Sequence, residues 1–349
     1  GLKKRAKMRV LFLIQGWERP SSRYRVLQYL PYLEKEGVQA KVTTYPKGIG
    51  RYIKLCREVG NYDVIFLQRK RLNALFLQLL RTRAKGMVYD FDDAVMYRDS
   101  NASSPYSRTR QRKFIRTIKA SDHIIAGNSF LRDQAQRYND RVTVIPTAIN
   151  MKRYTIKNYE KAVKITIGWI GSSSTLPYLI DIKAVFEELD KKYRNLELKI
   201  ICNTFFDCEN IQVIKKVWNQ EEEIEDLKSL DIGVMPLKDD PWSWGKCGLK
   251  KIQYYGVGIP VVCTPVGANR DVVQDGVNGF WAMSHEEWVE KLSILVEDPL
   301  LRQEMGMTGR GLVEESFSVQ ACAPKLCHVL EEVALVESRP EKSFSKSRA

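Results

Sequence analysis

The sequence predicts an α/β protein of two domains, each built on a parallel sheet. Short apolar runs alternate with helical segments along both halves, the pattern that gives parallel strands joined by crossover helices. The length of 349 residues suits two domains of about 100 to 200 residues each. Glycine- and serine-rich turns also close several runs just where a helix begins, as at GSSST (171–175) and GNS (127–129).

In the first half the runs 10–14, 64–67, 87–90, 123–126 and 142–145 have the length and composition of buried strands. Residues 150–160 are polar and aperiodic, and an interdomain linker is expected there. A second unit opens with the strand 164–170, followed by a helix to about Arg194 and strands at 196–202, 231–235 and 260–263. Residues 318–336 are periodic and predict a closing helix, and the Ser/Lys/Arg tail 337–349 is expected to be disordered. The predicted domains are therefore 1–155, 156–317, the closing helix, and the tail.

Composition excludes several classes. No run approaches the roughly 18 apolar residues of a membrane span, and the apolar stretch after the basic N-terminal residues has no small-residue cleavage site, so no signal peptide is read. Seven cysteines, an odd number without zinc spacing, point to a reduced cytoplasmic compartment. Three scattered histidines make metal catalysis unexpected, and no nucleophile elbow supports a serine hydrolase.

Charge is uneven. Residues 1–150 hold 30 Lys and Arg against 12 Asp and Glu, whereas the remainder is slightly acidic, within a net charge of +14. The excess clusters at 3–9, 68–85 and 108–119. In the second cluster Leu72, Leu75, Leu79 and Leu80 recur at helical spacing among arginines, a pattern suited to an anionic membrane surface or to a solvated basic face over a buried stripe. Such a field also suits nucleic acid, but the basic runs contain few aromatics and no nucleic-acid module, so none is expected as partner.

The densest functional pattern is 245–281, GKCGLKKIQYYGVGIPVVCTPVGANRDVVQDGVNGFW. A helix is predicted after Gly248, with Leu249, Ile252 and Gly256 at spacings of three and four, ending at Gly258 before Pro260. A strand follows. Helix N-termini at the carboxyl ends of such strands bind anions through free N–H groups and the helix dipole. The loop of Gly245, Lys246, Cys247 and Gly248 is thus a candidate phosphate seat, with Lys246 supplying charge, Cys247 a small packing residue, and Gln253 a neutral polar group inside the helix. In GSSST, Gly171 permits close approach and Ser172, Ser173 and Ser174 offer hydroxyls and N–H groups to a diphosphate. The loop holds no cation, so Lys246, with Lys250 in reserve, is expected to supply it. Gly267, Ala268, Asn269 and Arg270 precede a short helix that could present amides to sugar hydroxyls, and Asn278 with Gly279 reads as a turn.

Three first-half features complete the candidates. In GWERPSSRYR, Arg23 and Arg25 follow a capping serine pair and are candidates for a diphosphate or an anionic acceptor. Asp90, Asp92 and Asp93 end a strand, and Asp92 or Asp93 could orient or deprotonate an acceptor hydroxyl; helix capping is the alternative. Asn128 follows a strand and opens a helix, where it would cap that helix or border a phosphate.

The 245–264 pattern resembles the donor-binding signature of family 4 glycosyltransferases. In that family two glutamates separated by seven residues precede a small-residue helix end and a PVV strand. Aligned on Pro260, Val261 and Val262, Gln253 stands where the second glutamate holds the donor ribose, and Gly245 stands where the first touches the sugar, so the motif is degenerate. The resemblance implies a GT-B fold, two Rossmann-like domains facing a central cleft. It implies retaining transfer from a UDP- or GDP-type sugar, without bound cofactor or metal, to a hydroxyl acceptor such as a lipid-linked or envelope glycan intermediate. It places the donor at 171–174 and 246–249 with Gln253 and Gly267, acceptor groups in the first domain, and the closing helix back on that domain. Lys246 would then stabilise the departing diphosphate. Peripheral contact with the inner face of the cell membrane is expected. A non-catalytic sugar-nucleotide or glycan-binding relative is the principal alternative, and a GT-B epimerase or phosphorylase another.

Overall fold

The computed structural model describes residues 8–160 and 163–335. The expected disordered tail, 337–349, lies outside the described residues, as do residue 336 of the expected closing helix and most of the first basic cluster. The chain forms two compact units. Among the described residues the first comprises 8–96, 107–145 and 323–335; the second comprises 97–106, 146–160 and 163–322.

The first unit is a six-stranded parallel sheet of β1 (Met8–Ile14), β2 (Val38–Thr44), β3 (Val64–Gln68), β4 (Gly86–Phe91), β5 (His123–Ala126) and β6 (Val142–Val144), in the order β2-β1-β3-β4-β5-β6. Helices α1 (Pro20–Arg25) and α2 (Leu30–Lys35) join β1 to β2. The later crossovers are α3 (Ile49–Val59), α4 (Ala74–Arg81), α5 (Arg108–Ala120) and α6 (Ser129–Gln136). Strands β3, β4 and β5 are buried along their whole length, because helices cover both faces of a parallel sheet, and this is why they read as unbroken apolar runs. The helices bury residues at spacings of three and four, such as Tyr52, Leu55 and Val59 on α3. Each fully buried large apolar side chain contributes about 1.5–3 kcal/mol.

The second unit repeats the plan with β7 (Ile165–Ile170), β8 (Leu196–Cys202), β9 (Gln212–Val217), β10 (Ile232–Met235), β11 (Val261–Cys263) and β12 (Gly279–Trp281). Their order is β12-β11-β10-β7-β8-β9, again parallel. Between them run α7 (Leu176–Ile180), α8 (Lys183–Lys192), α9 (Glu223–Lys228), α10 (Pro241–Trp244), α11 (Leu249–Gly256) and α12 (Ala268–Val272). Helices α13 (His285–Glu297), α14 (Pro299–Ser316) and α15 (Val319–Leu335) follow. The core packs Trp169, Phe186, Leu198, Ile200, Val234 and Trp288. Helix α15 starts in the second unit, and its residues from Ala323 belong to the first, where Val333 fills the space a side chain at Gly86 would need.

Four sequence expectations need correction. Residues 150–160 are not a free linker: Lys157 Nζ donates to Leu230 O at 2.6 Å and pairs with Asp231, Tyr159 Oη donates to Gly258 O at 2.6 Å, and Tyr154 is buried. The main segment of the second unit begins at Pro146, whereas the sequence reading sets the boundary at 155. The single helix expected up to Arg194 is broken into α7 and α8 around Asp181 and Ile182. The turn expected at Asn278 and Gly279 covers 276–278 and ends one residue earlier than read, since Gly279 starts β12; Asn278 is buried in it, donating to Val272 O at 3.0 Å and accepting from Tyr255 Oη at 3.0 Å. Strands β2, β9 and β12 escape the sequence reading, and all three lie at sheet edges.

Candidate functional site

In the second sheet the strand order reverses between β7 and β10, the place where open α/β sheets bind ligands beyond their carboxyl ends. Tyr254 of α11 spans that point. Its hydroxyl accepts from Ile170 N at 3.1 Å and donates to Val234 O at 3.3 Å, while its ring occupies the space over Gly233 where any side chain would collide. This pins α11 across the reversal and sets its N-terminus beside the loop that leaves β7.

Two glycines shape this end. Gly248 caps α11 in the left-handed region, φ +67°, and a Cβ there would lie 2.0 Å from Lys251 Nζ. Gly267, φ +54°, precedes α12, and a Cβ there would lie 2.7 Å from the Trp244 carbonyl oxygen. Both positions require glycine on conformation and on space. Gly171 closes β7 against the Trp169 ring, and a Cβ there would also approach Lys250 Cε at 3.0 Å. The following Ser172, Ser173 and Ser174 are exposed. Ser172 and Ser174 share a hydroxyl contact at 2.9 Å, and Thr175 Oγ1 donates to Ser172 O at 3.1 Å, so the loop is ordered by its own hydroxyls.

The cation beside Gly171 is Lys250, with its ammonium 5.4 Å from the centre of the Trp169 ring. Lys246 instead lies over Trp242 at 4.3 Å. Burial, and then the charge of Lys246, lower the Lys250 pKa from 10.5 to about 8. Among the described residues Lys250 has no carboxylate within ion-pair distance. A charge penalised in this way at a helix N-terminus favours the arrival of an anion.

Lys251 points the other way and is fully buried. Its Nζ donates to Asn269 Oδ1 at 3.0 Å, and Asn269 Nδ2 donates to Thr264 O at 2.8 Å, so one buried chain of bonds ties α11 to α12 and the end of β11. Burial lowers the Lys251 pKa to about 8.

The structure places the remaining donor candidates unevenly. Leu249 opens α11 beside Gly248, and Cys247 is buried with its thiol toward Gly245 O at 3.8 Å. Gln253 is withdrawn rather than presented: it is 3% exposed, and its Nε2 donates to Tyr154 Oη at 3.2 Å.

In the first unit the carboxyl ends of β3 and β4 gather a second polar cluster. Arg25 is not an anion-binding arginine. It is 3% exposed, its Nε donates to both oxygens of Asp90 at 3.1 and 3.2 Å, Nη2 donates to the same carboxylate, and Nη1 donates to Ile145 O at 2.7 Å. Burial alone would lower its pKa, but the touching Asp90 carboxylate raises it instead. Arg23 lies with its guanidinium 4.5 Å over the Tyr24 ring. Asp93 is nearly buried and takes a hydrogen bond from Arg69, and Asp92 stands 3.6 Å from the same guanidinium. Asp92 is the more accessible of the two. Arg69 itself adopts φ +60°, unusual for a side-chain-bearing residue, and such strain is held where surrounding contacts over-determine it; Tyr89 Oη donates to its carbonyl at 3.0 Å and its own N–H to Asp90 O at 2.6 Å. Asn128 is buried and caps α6, accepting from Leu131 N at 2.8 Å.

Sequence reasoning missed Lys251 as a buried clamp and Arg69 as the partner of the aspartates. The signal for Lys251 was present: positions one turn either side of it in a helix packed on a sheet are apolar or small. A lysine's identity does not say whether it is buried, however.

A family model described as Glycosyl transferases group 1 matches residues 176–298. Among curated proteins no sequence matches the chain. Solved structures match along nearly its whole length. HepE of Anabaena, in complex with UDP and glucose, has a TM-score of 0.70 at 14% identity and covers 93% of this chain and 99% of its own. Sucrose-phosphate synthase from Thermosynechococcus elongatus has a TM-score of 0.72 at 13% identity, covering 95% and 100%. A glycosyltransferase from Rickettsia africae has a TM-score of 0.68 at 14% identity, covering 94% and 98%. At these identities the likeness establishes the fold: two parallel sheets flanked by helices, as in GT-B structures.

Proposed function

We propose that the chain is a glycosyltransferase that retains configuration while moving a sugar from a UDP- or GDP-sugar to a hydroxyl acceptor, a reading supported by the group 1 family model over 176–298 and by the GT-B fold. The observation that carries the donor site is Lys250. It is a largely buried ammonium with a depressed pKa and no carboxylate partner, placed between the α11 N-terminus and the Gly171 loop. A diphosphate seated on the 171–174 amides would restore the lost solvation. As the sugar leaves, charge grows on the departing diphosphate, and Lys250 with the α11 dipole stabilises that growth more than the ground state. Lys246 reinforces the field from one turn earlier. Gly248 and Gly267 let backbone approach the sugar closely, and the Lys251–Asn269 clamp holds the two loops in register. In the first unit Asp92 orients the acceptor hydroxyl, with Arg69 fixing its direction. HepE, which shares the fold, is solved with UDP-glucose, and this favours uridine in the donor. The basic first half suits an anionic acceptor such as a lipid-linked or envelope glycan intermediate.

A second reading, a sugar-nucleotide-binding relative without turnover, draws on Gly245 and on the withdrawn Gln253, which leave the donor sugar with no side-chain carboxylate from this segment. Thermal shift with UDP-, GDP-, ADP- and CDP-sugars, on the wild type and Lys250→Ala, tests the donor site. One base should raise the melting temperature selectively, and the rise should vanish in the variant. If none does, the donor reading fails. Release of nucleoside diphosphate on adding acceptor fractions then separates transfer from binding alone.

A further inference from the structure

Three arginines of the first unit that are drawn from water have carboxylate partners: Arg25 holds Asp90, Arg69 holds Asp92 and Asp93, and Arg81 stands 3.1 Å from Asp122. Arg71 differs. It is half-buried, its Nη1 is buried without a hydrogen-bond partner, and among the described residues no carboxylate pairs with it. Burial lowers its pKa from the ordinary guanidinium value, and the charges of Arg110 and Arg69 lower it further, against a partial offset from Tyr89. A guanidinium keeps its proton under such a shift. Arg71 is therefore a cation, gathered among other cations, whose buried donor goes unpaired, a costly state for a native structure to keep.

The loop that carries it, between β3 and α4, is anchored on both sides. Arg69 N donates to Asp90 O at 2.6 Å, and the Arg69 carbonyl accepts from Tyr89 Oη at 3.0 Å. Leu72 is 3% exposed, and Asn73 caps α4 by accepting from Phe76 N at 2.9 Å. Arg71 is thus held in place two residues from Arg69, their Cα atoms at most about 7 Å apart. Arg110 adds its charge from the first turn of α5, where Arg108 and Arg110 stand with no acidic residue, the reverse of what a helix dipole favours. Like charges collected in this way are relieved by an arriving anion, and the Arg71 side chain is only partly covered, so a ligand can reach it.

We propose that Arg71, with Arg110 beside it, seats an anionic group of the acceptor, a phosphate or a carboxylate carried on the same sugar unit as the reacting hydroxyl. This rests on the reading that Asp92 orients that hydroxyl. Arg69 links the two positions: its guanidinium stands 3.6 Å from Asp92, and Arg71 follows two residues later. The planar guanidinium fork matches two oxygens of a phosphate or a carboxylate. A neutral acceptor would leave Arg71 as unpaired as it is in the free protein, so the site selects acidic acceptors over neutral ones by the pairing that only they supply.

The test is calorimetric titration of the full chain with glucose 6-phosphate, glucuronate and glucose, on the wild type, Arg71→Gln, Arg71→Lys and Lys250→Ala. At least one of the two acids should bind about tenfold more tightly than glucose, and the tighter acid tells phosphate from carboxylate. That preference should fall about tenfold in Arg71→Gln, recover only in part in Arg71→Lys, which has the charge without the fork, and persist in Lys250→Ala. The melting temperature of Arg71→Gln should hold or rise, because the guanidinium pairs with nothing in the fold. No preference for either acid, a preference that survives Arg71→Gln, or one lost in Lys250→Ala instead would each overturn the proposal. Release of nucleoside diphosphate separates the two readings: equal turnover on glucose and on the acids would overturn the acidic seat and leave transfer standing, whereas Arg71-dependent binding of an acid by a chain that binds no nucleotide sugar would uphold the anion seat and sink the transferase reading.

Discussion

In the first unit Arg25 is buried against Asp90 and the half-buried Arg69 pairs with Asp92 and Asp93, whereas in the second unit Lys250 and Lys251 are drawn from water with no carboxylate in contact. Both groups lie at or near the carboxyl ends of parallel strands, so position does not explain the difference. In the first unit the anion is supplied by the chain itself, and the pairs fix backbone: Arg25 links α1, β4 and the segment after β6. Beside the Gly171 loop of the second unit no carboxylate of the described residues pairs with Lys250, and its field remains available to a ligand. Two six-stranded parallel sheets thus set Arg25 and Lys250 to opposite ends, architecture in one and reception in the other.

The sharpest way to break this contrast is Arg25→Ala. It would leave the Asp90 carboxylate buried without its cation, a loss of about 3–5 kcal/mol of stability. Urea denaturation should show the midpoint fall with little change in slope, and the double variant Arg25→Ala with Asp90→Ala should recover part of the loss. Nucleotide-sugar binding per folded molecule should be unchanged. A comparable loss of donor affinity would mean that the first-unit cluster is not purely architectural.

Lys250→Ala should do the reverse. Fold stability should hold or rise slightly, since a penalised charge is removed, while donor affinity falls by roughly 30-fold, about 2 kcal/mol, the scale of a charge-assisted contact. The pH dependence sharpens the assignment. In the free protein Lys250 loses its proton near pH 8, and a diphosphate would hold the charged form. Affinity measured by calorimetry should therefore fall as pH rises above 8, with proton uptake on binding in that range. A flat profile from pH 7 to 9.5 would remove Lys250 from the donor site.

Gly248→Ala tests how the loops are held. A Cβ in the left-handed region at 2.0 Å from a buried ammonium must displace one or the other. A stability loss of about 1–2 kcal/mol is expected, together with a higher KM for the donor. Combined with Lys251→Met, which has no ammonium to clash with, the two effects should be clearly non-additive; additive losses would place the strain elsewhere.

How far such contrasts could be read from sequence depends on what each residue type reveals. Interior strands were legible because burial on both faces leaves only apolar residues: 123–126 matches β5, 196–202 matches β8, and β3, β4, β7, β10 and β11 are met within two residues. Of the edge strands, β6 was read at 142–145, whereas β2, β9 and β12 were not. VQAKVTT of β2 and QVIKKV of β9 carry polar residues on a face that meets water, and β12 has three residues, too few for a period. The α11 segment was legible from its glycines and proline, which report backbone geometry directly. Its lysines were not, because a cation's type is silent on whether it meets a carboxylate, an aromatic ring or nothing. Arg25 shows this most plainly, since its partner, Asp90, lies 65 residues away in the chain.

The smallest expected effect separates the two adjacent lysines of α11. Lys251 is fully buried and bonded to a neutral amide, and its pKa of about 8 lies below the ordinary 10.5 that it regains on unfolding. Between those values the unfolded chain binds more protons than the folded one, so stability rises with pH from about 8 toward 10, and below 8 the full penalty is present. Replacing Lys251 by Met keeps most of the volume and removes the charge. At pH 7 the variant should be more stable by about 1 kcal/mol, the lower end of what such replacements give, because Asn269 loses its donor in the exchange. The gain should shrink as pH rises to 9.5, and denaturation of both proteins at the two pH values measures that difference while cancelling the titration of every other group. Donor affinity separates clamp from ligand: Lys251→Met should raise KM only modestly through looser loops, with no change in the pH dependence of binding, whereas a lost pH dependence would mean that Lys251, not Lys250, receives the anion.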